Sequence, residues 1–109
     1  MTVSELATTL GARPLSAPDP DREVRGAYAG DLLSWVMGRA AEGNAWVTIM
    51  TNINVVAVAS LLELSAVILC DNCLPEPAVL AAAEAKGVNL LLSELPMYEL
   101  CGRLHEIGI

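Results

Sequence analysis

The sequence has few basic side chains. Six Lys and Arg residues face thirteen Asp and Glu residues, which gives a formal net charge of -7. A long-range field of this sign repels phosphate backbones and anionic lipid alike. We therefore expect neither a nucleic acid polymer nor a membrane among the partners of this protein.

The sequence also lacks a targeting or membrane-spanning segment. The N-terminal stretch MTVSELATTL has no basic flank and no continuous apolar core, so it does not fit a signal peptide. The most apolar stretch, Ile53 to Cys70, is interrupted by polar residues such as Asn54 and Glu63. Two shorter buried elements explain this stretch better than one membrane helix does. We expect a cytoplasmic protein.

The common enzyme motifs are missing as well. The sequence contains no GxxxxGKS/T phosphate loop, no GxGxxG, no HExxH and no GxSxG. The single histidine, His105, falls in the last predicted helix without an evident nucleophile beside it. Nothing around Glu94 and Glu99 predicts the shifted pKa that an acid and base pair requires. We expect the protein not to be an enzyme.

The three cysteines are too few and too odd in number for a disulfide framework. Cys70 and Cys73 form a CxxC motif, and Cys101 with His105 would complete four zinc-capable side chains. A helix rises by about 1.5 Å per residue, which carries Cys101 and His105 away from the CxxC loop. Redox CxxC motifs usually begin a helix, whereas Leu74 to Pro77 intervene here. The pattern predicts no metal and no cofactor.

Apolar residues are abundant instead. They make up 54% of the 109 residues, whereas charged residues make up 17%. A chain of this length is expected to form one domain with one core, here residues 1–109. So high an apolar fraction leaves apolar surface to cover, and a dimer is the commonest closed assembly. We therefore expect a homodimer.

Strand and helix signals alternate along the chain. Thr2 and Glu5 form a capping box before the first helix, which Gly11 ends. Alternating units with continuously apolar strands predict an α/β fold: an open, mainly parallel sheet of four to five strands with helices on both faces. The predicted strands are Arg13–Ala17, Val24–Ala29, Trp46–Met50, Ala66–Cys70 and Val88–Leu92. The predicted helices are Thr2–Leu10, Leu32–Ala40, Val55–Leu62, Glu76–Lys86 and Met97–Ile107.

Polar loops follow several of the predicted strands. Ligands of open parallel sheets collect outside the carboxyl ends of the strands, where the strand order reverses. The predicted ligand-binding residues there are Gly30, Asp31, Thr51, Asn52 and Asn54. Asp31 fits either a helix N-cap or a ligand of a metal or a ribose hydroxyl. Thr51, Asn52 and Asn54 fit either helix capping or recognition of a nucleobase or a sugar.

A second candidate region precedes the first parallel strand. Arg13, Arg22 and Arg25 are three of the six basic residues, which suggests an anion site. Asp21, Arg22, Arg25 and Gly26 are therefore candidates for an anion or subunit contact. Alternatively, Asp21 caps a turn, Gly26 allows a bulge or tight packing, and the arginines are solvated. A strand rises about 3.3 Å per residue, so Val24–Ala29 would separate this region from Asp31 by nearly 20 Å.

Three stretches resemble one known family. DREVRGAYAGDLLSWVMG, WVTIMTNINVVAVASL and the terminal LHEIGI together read like the DRTGG-domain family, and the similarity covers nearly the whole chain. Asp21 and Arg22 match the start of the eponymous motif, and Gly26 matches its first glycine. Ala27 stands where the motif has its second glycine.

The resemblance implies a regulatory or dimerising module. Members of that family occur alone or attached to regulatory and enzymatic modules, including CBS domains of pyrophosphatases. We therefore expect a non-catalytic module that binds a small polar or anionic ligand, such as a nucleotide, or a partner protein. The alternative is a purely structural dimerisation or docking domain without a small-molecule ligand.

Overall fold

Five helices and five strands make up the computed structural model, which describes all 109 residues. The helices are α1 (Val3–Leu10), α2 (Leu33–Arg39), α3 (Ile53–Leu61), α4 (Pro77–Lys86) and α5 (Met97–Glu106). The strands are β1 (Arg13–Ser16), β2 (Ala27–Ala29), β3 (Ala45–Thr48), β4 (Ala66–Leu69) and β5 (Leu90–Leu92). Every predicted helix and strand is present, with shifted ends.

All strands lie in one sheet, in the order β1-β5-β4-β3-β2. Strands β2 to β5 are parallel, and β1 pairs antiparallel with β5 at one edge. Residues of β3 and β4 are buried throughout, as expected for central parallel strands with both faces covered. The predicted α/β class and the mainly parallel sheet are confirmed.

Helices cover both faces of the sheet. Helices α1 and α5 pack on the face formed by residues such as Val47 and Ile68. Helices α2, α3 and α4 pack on the opposite face, against Trp46, Val67 and Leu69. The three helices share this face because three successive right-handed crossovers move along the sheet in one direction.

The helix boundaries follow the predicted local signals. The Thr2 hydroxyl accepts a hydrogen bond from the Glu5 amide at 3.1 Å, and the Glu5 carboxylate accepts one from the Thr2 amide at 2.9 Å. Helix α1 ends at Gly11 and α4 ends at Gly87, with φ of 66° and 71°. Glycine adopts this left-handed conformation without a steric cost. None of the helices has the length and apolar character needed to cross a membrane.

Strand β2 is shorter than predicted. The sequence suggested an extended segment over Val24–Ala29, but only Ala27–Ala29 pairs with β3. Gly26 has φ of 77°, which interrupts the extended backbone before the strand begins. The alternative noted for Gly26 in the sequence, a bulge or tight packing, is consistent with this break.

The predicted ligand site assumed that the strand order reverses within the parallel part of the sheet. The structure shows no such reversal, because the order runs directly from β2 through β3 and β4 to β5. The faces change instead after β5, because α4 and α5 lie on opposite sides of the sheet. A crevice is therefore expected between the loops that follow β4 and β5.

Candidate functional site at the carboxyl edge of the sheet

Asp31 joins the ends of two neighbouring strands. Its Oδ1 atom accepts a hydrogen bond from the hydroxyl of Thr48 at 2.7 Å and from the amide of Ile49 at 3.0 Å. The Thr48 hydroxyl also accepts a hydrogen bond from the amide of Met50 at 3.2 Å. Asp31 is exposed, so its Oδ2 atom can accept further hydrogen bonds from a ligand or a partner.

This arrangement corrects the N-cap interpretation of Asp31. The N-cap residue of α2 is Leu32, which makes no side-chain capping hydrogen bond. Asp31 lies one position too early, and the buried Thr48 hydroxyl and the Ile49 amide hold its carboxylate on the β3 side. Gly30 is also engaged, since its carbonyl accepts a hydrogen bond from the Trp46 indole at 2.9 Å.

The crevice between the β4 and β5 loops is closed by the backbone. The Asp71 amide donates to the Leu95 carbonyl at 2.9 Å, and the Asn72 amide donates to the Ser93 carbonyl at 2.8 Å. Both Asp71 and Asn72 have positive φ, of 55° and 54°. These hydrogen bonds join the two loops across the place where a ligand would enter a doubly wound sheet.

An open cleft lies beside this crevice, between the N-terminal ends of α3 and α4. It has a volume of about 410 Å³ and is lined by Thr51, Asn52, Ile53, Glu76, Ala78 and Val79. Thr51 and Asn52 are predicted ligand-binding residues, and the structure brings them together with Glu76. The Thr51 hydroxyl has no hydrogen-bond partner within the protein, so it is free to bind a ligand.

The two asparagines have different surroundings. Asn52 is the N-cap of α3, where its side-chain oxygen accepts a hydrogen bond from the Asn54 amide at 2.9 Å. The predicted capping alternative therefore holds for Asn52, whose side-chain NH2 stays free. Asn54 is exposed in the first turn and does not line the cleft.

The second candidate region lies near the amino ends of the strands, away from the carboxyl edge. The Arg22 guanidinium donates to the Glu63 carbonyl at 2.7 Å, just before β4 begins. The Arg25 amide donates to the Gly43 carbonyl at 2.7 Å, and its aliphatic stem packs close to Gly43. Asp21 is exposed in this region. Arg22 thus contacts the amino end of the sheet, whereas Asp31 contacts Thr48 and Ile49 at the carboxyl end of β3.

The three arginines do not form one cluster. Arg13 pairs with Leu92 at the carboxyl end of β5, because β1 runs antiparallel to the other strands. Arg22 and Arg25 lie near the amino ends of the strands. The three arginines are close in the sequence but not in the structure, so they do not form one positively charged site. Gly26 fits the tight-packing alternative, since an added Cβ would lie 3.2 Å from the side-chain Nδ2 atom of Asn44.

The thiols are not arranged for metal binding. No group of three or more His, Cys, Asp or Glu residues could hold a metal ion in the structure. Burial raises the pKa of Cys70 to about 11, with smaller contributions from the carboxylates of Asp71 and Asp31. Burial also raises the pKa of Cys101. Thiols with raised pKa are poor nucleophiles and poor metal ligands at neutral pH.

Two residues of the site were missed by the sequence analysis. Thr48 was assigned to a buried strand, and its role in holding Asp31 depends on the spacing of β2 and β3. Glu76 was assigned to the start of a helix, and it faces the cleft because α3 and α4 lie side by side. Both roles depend on contacts between elements, for which a single sequence carries no signal.

Among comparisons with known proteins, only the comparison with solved structures gives a match. No family model matches the chain, and no curated protein matches it significantly. One solved structure, with a TM-score of 0.74, contains the CBS and DRTGG domains of the regulatory region of Clostridium perfringens pyrophosphatase, complexed with the activator diadenosine tetraphosphate. The match covers 94% of this chain and 45% of that chain, at 11% sequence identity.

The fold is DRTGG-like. An identity of 11% supports a likeness of fold and no more, so the predicted resemblance is confirmed at the level of architecture. This chain spans less than half of the regulatory region that it matches. The similar DRTGG-containing structure is a regulatory region rather than a catalytic domain, and it binds a nucleotide activator.

Proposed function

We propose that this DRTGG-like protein is a non-catalytic regulatory module that binds a small polar ligand in the cleft between α3 and α4. The cleft itself carries the proposal, because it combines an unpaired hydroxyl, an amide and a carboxylate with apolar walls at the carboxyl edge of a parallel sheet. Homodimerisation and a cytoplasmic location belong to the same proposal.

The side chains of the cleft favour one ligand chemistry. Glu76 accepts hydrogen bonds, the Asn52 side-chain NH2 donates them, and Thr51 can do both. Ile53 and Val79 supply apolar contact for a flat or aliphatic group. The set fits the hydroxyl and amino groups of a sugar or a nucleobase better than a bare phosphate, since no Lys or Arg lines the cleft. A nucleotide would therefore bind through its nucleoside part.

A thermal-shift panel of nucleosides, nucleotides, dinucleoside polyphosphates, sugars and inorganic phosphate tests this proposal. A ligand that binds only the folded protein stabilises it by about 2.7 kcal/mol at a hundredfold excess over Kd. We expect a concentration-dependent rise in Tm with a nucleoside or nucleotide, and none with phosphate alone. The absence of any shift across the panel at millimolar concentrations would refute the ligand-sensing proposal.

Variants locate the site. Glu76→Gln is expected to weaken binding by roughly tenfold or more and Thr51→Val by up to about tenfold, because a hydrogen bond contributes about 1.5 to 3 kcal/mol when one partner is charged and about 0.5 to 1.5 kcal/mol when both are neutral. Glu94→Gln is the matched control, since Glu94 is exposed in the β5–α5 loop and does not line the cleft. Equal affinity of Glu76→Gln and Glu94→Gln would place the ligand elsewhere.

Exposed apolar side chains favour a second candidate, a structural docking domain. Leu32, Trp35 and Leu61 are 59%, 52% and 68% exposed, and Tyr98 is 89% exposed. Contiguous patches of exposed apolar side chains mark contacts with other proteins, and Leu32, Trp35 and Leu61 belong to helices of the same layer. A chain that dimerises or binds a partner protein while ignoring every small molecule in the panel would favour this second function.

A further inference from the structure

Glu76, the carboxylate of the α3–α4 cleft, lies between two prolines. Pro75 and Pro77 each have a fixed φ, and Pro77 also restricts the preceding residue to extended backbone. Glu76 has φ of -69° and ψ of 155°, which lies in that extended region. Its backbone is therefore held in one conformation before a ligand binds, and this lowers the entropic cost of binding.

The carboxylate of Glu76 is not engaged within the chain. Glu76 occupies the N-cap position of α4, but its side chain makes no capping hydrogen bond. The one ion pair in the structure joins the N-terminal amine to Glu23 and does not involve Glu76. A carboxylate has two acceptor oxygens side by side and no donor. The cleft therefore contains two adjacent, unoccupied acceptors.

In Asn52, the NH2 group is the unengaged part of the side chain. The side-chain oxygen accepts a hydrogen bond from the Asn54 amide at 2.9 Å. This capping hydrogen bond also fixes the orientation of the side chain, because an NH2 group cannot accept a hydrogen bond from a backbone amide. The cleft thus combines the two acceptors of Glu76 with a donor of Asn52.

The N-terminal end of α4 does not favour a phosphate group. Pro77 is the first residue of this helix, and it lacks the N–H group that would bind an anion there. The carboxylate of Glu76 repels negative charge, and no Lys or Arg lines the cleft. A neutral group fits better, and the apolar side chains of Ile53, Ala78 and Val79 fit the faces of a flat ring.

Guanine differs from the other common nucleobases in having two adjacent N–H donors on one edge. Its ring N–H lies between its exocyclic NH2 group and its carbonyl oxygen. Adenine and cytosine place the NH2 group next to a ring nitrogen that accepts hydrogen bonds, and uracil places its ring N–H between two carbonyls. In each of these three bases, a bidentate carboxylate would oppose an acceptor. The adjacent acceptors of Glu76 therefore match guanine.

We propose that the α3–α4 cleft selects guanine nucleosides and nucleotides. Glu76 accepts hydrogen bonds from the ring N–H and the exocyclic NH2 of the base, and the Asn52 side chain donates one to its carbonyl. Ile53 and Val79 contact the faces of the ring. Selectivity follows because a base without these donors leaves the carboxylate unpaired. The inference rests on the ligand-binding module of the proposed function and names the base that the module recognises.

Calorimetric titration of the wild-type protein with nucleoside monophosphates tests the selectivity. Guanosine, inosine and adenosine monophosphate share the ribose and the phosphate, so differences in Kd report on the base. Inosine differs from guanosine only by lacking the exocyclic NH2 group. We expect guanosine monophosphate to bind at least about tenfold tighter than either of the other two. Deoxyguanosine monophosphate should bind as tightly as guanosine monophosphate, because Glu76 contacts the base and not the ribose.

Glu76→Gln assigns the selectivity to one side chain. Glutamine replaces one of the two acceptors with a donor, so guanosine monophosphate should lose about tenfold in affinity or more, whereas adenosine monophosphate should not weaken. The preference for guanine should therefore shrink or disappear. Glu94→Gln, the same change at an exposed residue outside the cleft, should keep the wild-type preference. The inosine comparison needs no variant and decides the question even if Glu76→Gln fails to fold.

The outcomes separate guanine selectivity from ligand binding as such. Equal affinity for the three bases, or a preference for adenosine monophosphate, overturns the guanine assignment and leaves a ligand-binding module. Much weaker binding of the deoxyribose form, together with equal affinity for the three bases, assigns Glu76 to the ribose and also overturns it. A wild-type protein that binds a sugar and no nucleotide has the same consequence. A protein that binds no small molecule overturns both the inference and the proposed function.

Discussion

The burial of each cysteine determines how readily its thiol reacts with reagents in solution. Cys70 is fully buried beneath the carboxyl edge, and its Sγ atom lies 3.6 Å from the Thr48 carbonyl oxygen. Burial, followed by the nearby Asp71 and Asp31 carboxylates, raises its pKa from 9.0 to about 11. Cys73 lies three positions further on and is half-buried. The two thiols of the CxxC motif thus have unequal access to reagents.

Alkylation of the native protein at pH 8 should reflect this difference. A pKa raised by two units lowers the thiolate fraction about a hundredfold, and the thiolate is the reactive form. We expect iodoacetamide to label Cys73 first and Cys70 last, with the sites assigned by peptide mass spectrometry. Cys73→Ser should remove the fast phase. Rapid labelling of Cys70 in that variant would contradict the buried, protonated thiol.

At the scale of the element, glycines have two opposite roles. Gly87 ends α4 with φ of 71°, a conformation that side chains with a Cβ rarely adopt. Gly102 lies within α5, where a helical backbone suits any residue. An added Cβ would meet no atom within 4 Å at either position, so packing does not distinguish them. Only the backbone conformation differs.

Alanine substitutions at these positions should therefore have opposite signs. Gly87→Ala should lower the free energy of unfolding by about 1 kcal/mol, the cost of a left-handed residue with a Cβ. Gly102→Ala should raise it by about 0.5 to 1 kcal/mol, because alanine loses less conformational entropy in a helix. Urea denaturation of both variants beside wild type measures this. A change of the same sign in both would contradict the backbone explanation.

Across the whole molecule, protection from solvent decreases from the centre of the sheet to its edges. Strands β3 and β4 are completely buried between two helical layers, whereas two of the three residues of β2 are exposed. Local opening is easiest where few apolar contacts must break. The lowest local stability of the sheet is thus expected at the β2 edge.

Hydrogen exchange followed by NMR should show this gradient. We expect the amides of Val67 and Ile68 in β4 to exchange slowest, and those of Ala27 and Ala29 to exchange fast in dilute protein. Protection of the Ala27 and Ala29 amides as strong as that of the β4 amides would contradict an exposed edge strand with one neighbour.

Local interactions explain why the sequence predicted the elements well. The capping box of Thr2 and Glu5, the ends at Gly11 and Gly87 and the apolar runs of β3 and β4 depend on neighbours in the chain. Such signals survive in a single sequence because they involve residues a few positions apart. The α/β class and the mainly parallel sheet followed from their alternation.

Long-range contacts decided the rest, since the sequence by itself determines which residues form elements but not which elements become neighbours. Only the tertiary structure shows that Asp31 binds Thr48 instead of capping a helix. It also places Glu76 beside Thr51, and it places Arg13 at the carboxyl end of β5 whereas Arg22 lies near the amino ends of the strands. Each of these relations depends on strand order and crossover direction, because pairing between distant strands sets distances that no local pattern encodes.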